Sequence, residues 1–156
     1  MTDPNHKYLH DKIFAGKQVG VSAYKSSGQS ITVGNTDKVT FDTEEWDLND
    51  HFASSTFTVP PHLPGRYRVS GKITFEIVTA SDQLNVWIYK NDGAFDNTNE
   101  TTNTVHFKAV HFNRVLNLAA GDTVDIYARN NTSTDTINEG QAQTILQIEY
   151  VGKNLS

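Results

Sequence analysis

The sequence predicts an all-β protein, a sandwich of two antiparallel sheets arranged as a jelly roll. Hydrophobic and polar residues alternate with a period of two over most of the chain, and turn residues separate the alternating runs. About nine or ten short runs follow one another without a helical pattern between them. An antiparallel strand with one buried face and one wet face has this alternation. Many short strands with regular turns are typical of sandwiches.

The clearest predicted strand is "RYRVSGKITFEIVT", in which every second residue is apolar or glycine. The same alternation appears in "DTVDIYAR" and "TILQIEYV". Further strands are predicted near residues 19–25, 36–41, 54–59, 83–90, 103–109 and 111–118. From the inward positions we predict a core made of Phe41, Phe57, Tyr67, Val69, Phe75, Val86, Val124, Ile126 and Leu146.

Turn residues mark the ends of these strands. Pro60, Pro61 and Pro64 end one strand, because proline cannot donate to a central ladder, and "AAGD" at 119–122 predicts a tight turn. The polar stretches 91–103 and 130–140 are predicted to be long exposed loops. The serine-rich stretch "AYKSSGQSI" lacks the pattern of a nucleophile elbow or a phosphate loop, so we expect it only to connect two strands.

Length and composition favour one domain and exclude several functions. The chain has 156 residues, enough for one domain with a sizeable core. Its net charge of −5 argues against nucleic acid as a partner. It contains no cysteine, which excludes disulfides and thiolate zinc sites. We expect residues 1–17 to form an arm or linker and residues 18–156 to form the domain.

The sequence shows neither a signal peptide nor a segment long and apolar enough to enter a membrane. Catalysis is not expected, because Glu44 and Glu45 are adjacent and would face opposite sides of a strand. His106 and His111 have an odd spacing, which argues against zinc. No cofactor is therefore expected. Calcium is an open alternative to plain solvated acids at Asp92, Asp96, Glu100, Asp135 and Glu139.

Large aromatic residues suggest a partner surface. In "LNVWIYK" the residues Leu84, Val86 and Ile88 face inward, which places Trp87 and Tyr89 together on the outward face. Either the N-terminal arm covers them, or they bind a protein partner or stack on a sugar. Trp46 is a further aromatic candidate for such stacking.

Five segments in order resemble the globular domain of the complement C1q-like family, within the tumour-necrosis-factor-like jelly-roll group. They are "QSITVGNTDKVTFDTEEWD", "STFTVPPHLPGRYRVSGKITF", "LNVWIYKNDG", "VLNLAAGDTVDIYA" and "IEYVGKNL", and together they span about residues 19–155. The residues that carry the resemblance are Phe57, Val59, Pro60, Gly65, Tyr67 and Phe75, then Leu118, Gly121, Asp122 and Val124, and finally Tyr150, Gly152 and Leu155.

The resemblance implies a ten-strand jelly roll that forms a compact trimer and serves as a non-catalytic recognition or structural module. Carried onto this chain, it implies that His111 and Ile145 lie at the threefold axis, with Val21 and Tyr24 nearby. Animal members are secreted, commonly contain cysteine and often carry a collagen stalk. This chain shows none of these features, which fits better with the C1q-like modules of bacteria and their phages. It is therefore expected in a virion or cell-surface assembly. The alternative is a carbohydrate-binding module that uses Trp87, Tyr89 or Trp46.

Overall fold

The computed structural model describes residues 19–103 and 105–153, which form thirteen strands. The predicted arm, residues 1–17, lies outside the described residues. The strands are β1 (Gly20–Tyr24), β2 (Gln29–Ile31), β3 (Asp37–Lys38), β4 (Thr43–Leu48), β5 (Phe52–Ala53), β6 (Thr56–Thr58), β7 (Gly65–Val78), β8 (Gln83–Lys90), β9 (Gly93–Thr101), β10 (His106–Leu118), β11 (Thr123–Asn130), β12 (Asp135–Ile137) and β13 (Ile145–Gly152). No described segment is a helix long and apolar enough to cross a bilayer.

The strands form two antiparallel sheets, which we name sheet A and sheet B. In sheet A the order is β2-β12-β7-β13-β1-β4, and β10 also pairs with β7. Residues 66–72 of β7 pair with both β10 and β13, so these two strands flank β7. In sheet B the order is β5-β6-β11-β8-β9, with β3 paired to β11. The predicted all-β jelly roll is confirmed, with several of the thirteen strands only two or three residues long.

The core lies between the two sheets, where the alternating pattern placed it. All nine residues predicted for the core are buried, each at most 4% exposed. Tyr67 is the largest fully buried side chain. Its hydroxyl donates to the carbonyl oxygen of Leu63 at 2.7 Å, and its ring centre lies 5.6 Å from that of Phe57 and 5.3 Å from that of Tyr150. The buried phenol therefore has both its hydrogen bond and its ring contacts.

Two predicted loops are wrong. Within residues 91–103 the chain forms β9, which pairs with β8 at the edge of sheet B, and within 130–140 it forms β12. None of the β9 side chains is buried. A strand without a buried face lacks the hydrophobic alternation by which strands are recognised. In addition, 103–109 and 111–118 were predicted as two strands, but residues 106–118 form the single strand β10.

The serine-rich stretch connects β1 to β2, as predicted. The backbone amide of Ser26 donates to Asp42 at 2.6 Å, and the hydroxyl of Ser27 donates to the same carboxylate at 2.9 Å. The carboxylate satisfies polar groups at a point where strand pairing is interrupted. These serines therefore have a structural role in the connection.

Asp82, in the turn between β7 and β8, is fully buried and closes one end of the sandwich. Burial favours a higher pKa for this carboxyl, but hydrogen bonds from Thr79, Asn130 and Ser133 outweigh it and lower the pKa. The carboxylate accepts the Thr79 amide at 2.8 Å, the Ser133 hydroxyl at 2.9 Å and the Asn130 amide nitrogen at 3.1 Å. The ionised form is therefore the one that stabilises this end of the fold.

The lowered pKa of Asp82 predicts a loss of stability in acid. A carboxyl with a folded pKa below its unfolded value, about 4, stabilises the protein above that value. This stabilisation disappears as the pH falls through the folded pKa. We expect Asp82→Asn to reduce the free energy of unfolding by about 1–3 kcal/mol at pH 7 and by less in acid. Urea denaturation at both pH values measures this difference, and the exposed Asp92→Asn is the control. Equal losses in acid and at pH 7 would contradict it.

Candidate binding surfaces

The outer surface of sheet A, which we name face A, carries three of the four residues predicted for a trimer interface. Tyr24 of β1 lies opposite Ile145 of β13, and Ile145 lies opposite Lys72 of β7. Lys72 in turn lies opposite His111 of β10. Directly opposed residues of antiparallel strands project from the same face. Tyr24, Ile145 and His111 are therefore brought into one row across four neighbouring strands.

Val21 does not reach face A. Its side chain is 0% exposed and belongs to the core between the sheets. It lies opposite Ile148, which is also buried, whereas Ser22 and Tyr24 project to the other side. Successive residues of a strand point to opposite faces. Val21 supports β1 from within, so its predicted place near the interface is corrected.

Trp46 also lies on face A, away from the other two aromatic candidates. It is paired with Ser22 of β1, and a Cβ atom on Gly20 would come within 3.3 Å of its ring, so the ring lies beside Gly20. The Ser22 hydroxyl donates to the carboxylate of Glu45 at 2.6 Å. Exposed apolar side chains on the same face are Trp46, Leu48 and Val115.

The outer surface of sheet B, which we name face B, carries Trp87 and Tyr89. Both side chains are half-buried on the outward positions of β8, as the sequence predicted. Trp87 lies opposite Tyr127 of β11 on one side and opposite Asn97 of β9 on the other. The rings of Tyr89 and Tyr127 stack, with their centres 4.0 Å apart and an angle of 30° between their planes. Three aromatic side chains are therefore contiguous on this face.

Sequence analysis missed Tyr127 as a site residue. The alternation in "DTVDIYAR" shows that Tyr127 points outward, but it does not show that β11 pairs with β8. The pKa of the Tyr127 hydroxyl is raised, mainly by burial and next by the charge of Asp125. Asp125 itself forms an ion pair with Lys38 at 2.6 Å and accepts the Thr56 hydroxyl at 2.6 Å. The phenol of Tyr127 is thereby kept protonated beside a balanced pair of charges.

The acids proposed for calcium do not gather. Asp96 and Glu100 lie on β9 and form ion pairs across to β10, Asp96 with Arg114 at 3.4 Å and Glu100 with Lys108 at 3.0 Å. Asp135 is buried in β12, whereas Glu139 is exposed beyond the end of that strand. No group of three or more metal-binding side chains occurs within 19–103 and 105–153. Asp96 and Glu100, predicted to lie in a loop, therefore lie on β9, and their cationic partners lie on β10.

A groove of about 550 Å³ lies where the edges of the two sheets approach each other. Arg68 and Arg114 line it together with Phe95, Asn113 and Val115. Arg114 also forms the ion pair with Asp96 described above. The Phe95 side chain is 53% exposed. The groove therefore combines two cations with an exposed ring, and the same ring, Phe95, also lines the depression beside Trp87.

Solved structures with this fold are jelly rolls of the tumour-necrosis-factor and C1q type. The Eiger TNF of S. frugiperda aligns with a TM-score of 0.69 at 10% identity, covering 89% of this chain and 96% of that one. The globular domain of zebrafish complement 1qA aligns with a TM-score of 0.63 at 17% identity, covering 87% and 99%. Murine APRIL aligns with a TM-score of 0.62 at 11% identity, covering 86% and 99%.

These likenesses confirm the predicted fold, and at such identities they show the fold alone. No family model and no curated protein matches the sequence. Function must therefore be argued from the two faces of the sandwich.

Proposed function

We propose that the protein is a non-catalytic module that assembles as a homotrimer through face A. The observation that carries this proposal is the row of Tyr24, Ile145 and His111 on face A, fixed by strand register, in which Lys72 lies between Ile145 and His111. Exposed Trp46, near one edge of the same face, adds apolar surface. Apolar and aromatic residues that share one face are typical of the centre of a protein interface.

The distribution of these residues suits a closed ring of three copies. Cyclic trimers use heterologous contacts, in which two different parts of the surface meet. Face A offers Trp46 and Leu48 on the edge strand β4 and Val115 on β10 at the opposite side of the sheet. The β4 side of one copy would pack against the β10 side of the next. The arrangement leaves face B open to solvent.

Within this proposal, the trimer is a structural or receptor-binding part of a phage virion or a bacterial surface assembly. The resemblance of the five sequence segments to C1q-like modules, in a chain without cysteine, motivates this setting. The partners would be the other proteins of the particle. Mass spectrometry of purified particles and surface extracts from the source, with an antibody raised against the chain, tests the location. Its presence only in the cell lysate would contradict it.

Assembly through face A is tested with single cysteines, because the natural chain has none. Gln147 is exposed in the middle of face A, and Asn99 is exposed on face B. We expect Gln147→Cys to react slowly with a thiol reagent in concentrated solution and faster on dilution, because assembly covers it. The control Asn99→Cys should react rapidly at every concentration. Equal and concentration-independent rates at both positions would contradict assembly through face A.

A further inference from the structure

We propose that face B binds a neutral saccharide on a platform formed by Trp87, Tyr89 and Tyr127. This site is independent of assembly, because face A lies on the opposite side of the sandwich. The inference rests on the arrangement of aromatic rings, amide groups and paired charges on four neighbouring strands, β9, β8, β11 and β3.

The aromatic part of the platform is held in place by the sheet. Trp87 and Tyr127 occupy directly opposed positions of β8 and β11, the central strands of sheet B. Tyr89, two residues along β8, stacks on Tyr127 with ring centres 4.0 Å apart. All three side chains are half-buried, so their orientation is restrained by their neighbours. A preordered aromatic surface loses little conformational entropy when the apolar face of a ligand packs on it.

Hydrogen-bonding groups surround the rings at positions fixed by register. Asn97 lies opposite Trp87, and Asn99 lies opposite Asn85, two positions away on the same two strands. Each amide offers both donors and an acceptor, as the adjacent hydroxyls of a sugar require. A depression of about 220 Å³ beside Trp87 is lined by Asn97 and by residues 94–96 of β9. The Trp87 ring and the Asn97 amide thus share one depression.

Arg129 adds an unsatisfied donor beside the rings. It lies opposite Asn85 on the same face, one row away from the Trp87–Tyr127 pair. Its Nε atom is buried and has no hydrogen-bond partner among the described residues. A buried polar atom without a partner costs free energy unless a ligand or solvent satisfies it. Because this atom is buried, the Arg129 side chain would have to shift for a sugar hydroxyl beside Trp87 to accept its hydrogen bond.

Two charged side chains on and beside face B are already held in ion pairs. Lys38, opposite Tyr127, is paired with Asp125 at 2.6 Å. Asp96, at the edge of the depression, is paired with Arg114 at 3.4 Å. An ionic ligand would have to compete with these internal pairs. A saccharide without charged groups needs only the rings and the amides.

A glycan array probed with the complete protein tests the proposal. We expect retention on one or more neutral glycans, and the best of these is then titrated against the protein by isothermal titration calorimetry. Trp87→Ala should weaken binding by at least about tenfold, the size of effect that loss of one stacking ring commonly has. Phe107→Ala is the control, because this ring is 60% exposed on β10, outside sheet B, and its loss should leave the affinity unchanged. Because the ligand is neutral, added salt should have little effect.

A second variant keeps the test valid if Trp87→Ala folds poorly. Asn97 is exposed, so Asn97→Ala should keep the thermal unfolding temperature of the natural protein. It should nevertheless weaken binding by about fivefold or more, because one polar contact to the sugar is lost. Four results would overturn the proposal. They are binding to no neutral glycan, binding only to sulfated or other acidic glycans, binding only to cationic peptides, and an affinity that neither variant changes. Binding to acidic glycans alone would point instead to the groove of Arg68 and Arg114.

Discussion

Replacement of Ile145 by arginine is expected to convert the assembly to monomers. Ile145 is half-buried in the row on face A, between Tyr24 and Lys72. Arginine would place another cation beside Lys72 and would bring three such pairs into the interface. An uncompensated charge in an interface costs several kcal/mol. Aspartate at position 145 should act less strongly, because Lys72 lies directly opposite and would partly neutralise it.

His111→Asp should also weaken assembly, because it places a charge in the interface. Its effect should be limited, because Lys72 also lies opposite His111 and would partly neutralise the aspartate. Light scattering after size-exclusion chromatography measures the mass of each variant. Asn99→Arg, on the exposed part of face B, is the matched control and should remain assembled. Retention of the trimeric mass by both Ile145→Arg and His111→Asp would show that face A is not the interface.

Replacement of Phe75 by alanine is expected to have the largest effect on the stability of the fold. Phe75 is 0% exposed and lies opposite Lys108 of β10 and Ile137 of β12, where three strands meet. Loss of the ring removes apolar contacts and leaves a cavity, at a cost of about 3–5 kcal/mol. The free energy of unfolding in urea measures this loss.

A control separates burial from residue type. Phe107 is 60% exposed, so Phe107→Ala should change the free energy of unfolding by no more than about 0.5 kcal/mol. If the unfolding midpoint of Phe75→Ala equals that of the natural protein, the core as described is wrong.

The parts of the fold that the sequence predicts well are those with one buried and one wet face. In β7 the alternation identifies Tyr67, Val69 and Phe75 as core, and all three are fully buried. The alternation of β8 likewise places Trp87 and Tyr89 outward without knowledge of its neighbours. Period-two patterning determines which face each residue occupies, because burial of one face is what the pattern encodes.

The parts that the sequence does not predict depend on which strands meet. β9 has no buried side chain, and its backbone pairing with β8 makes it a strand. Tyr127 becomes a site residue only through the pairing of β11 with β8. The family resemblance predicted Val21 near the interface. The alternation of side chains along β1 instead directs Val21 into the core. β9 and β10 separate β8 from β11 in the sequence, and period-two patterning carries no information on the pairing of β8 with β11.

The central claim, that three copies of the chain assemble into a closed ring, is tested most directly by the solution mass of the natural protein. Light scattering across micromolar concentrations should give three times the 17.4 kDa of one chain. A closed trimer should show no larger species as the concentration rises, because cyclic symmetry leaves no free interface. A mass of one chain throughout that range would contradict the claim.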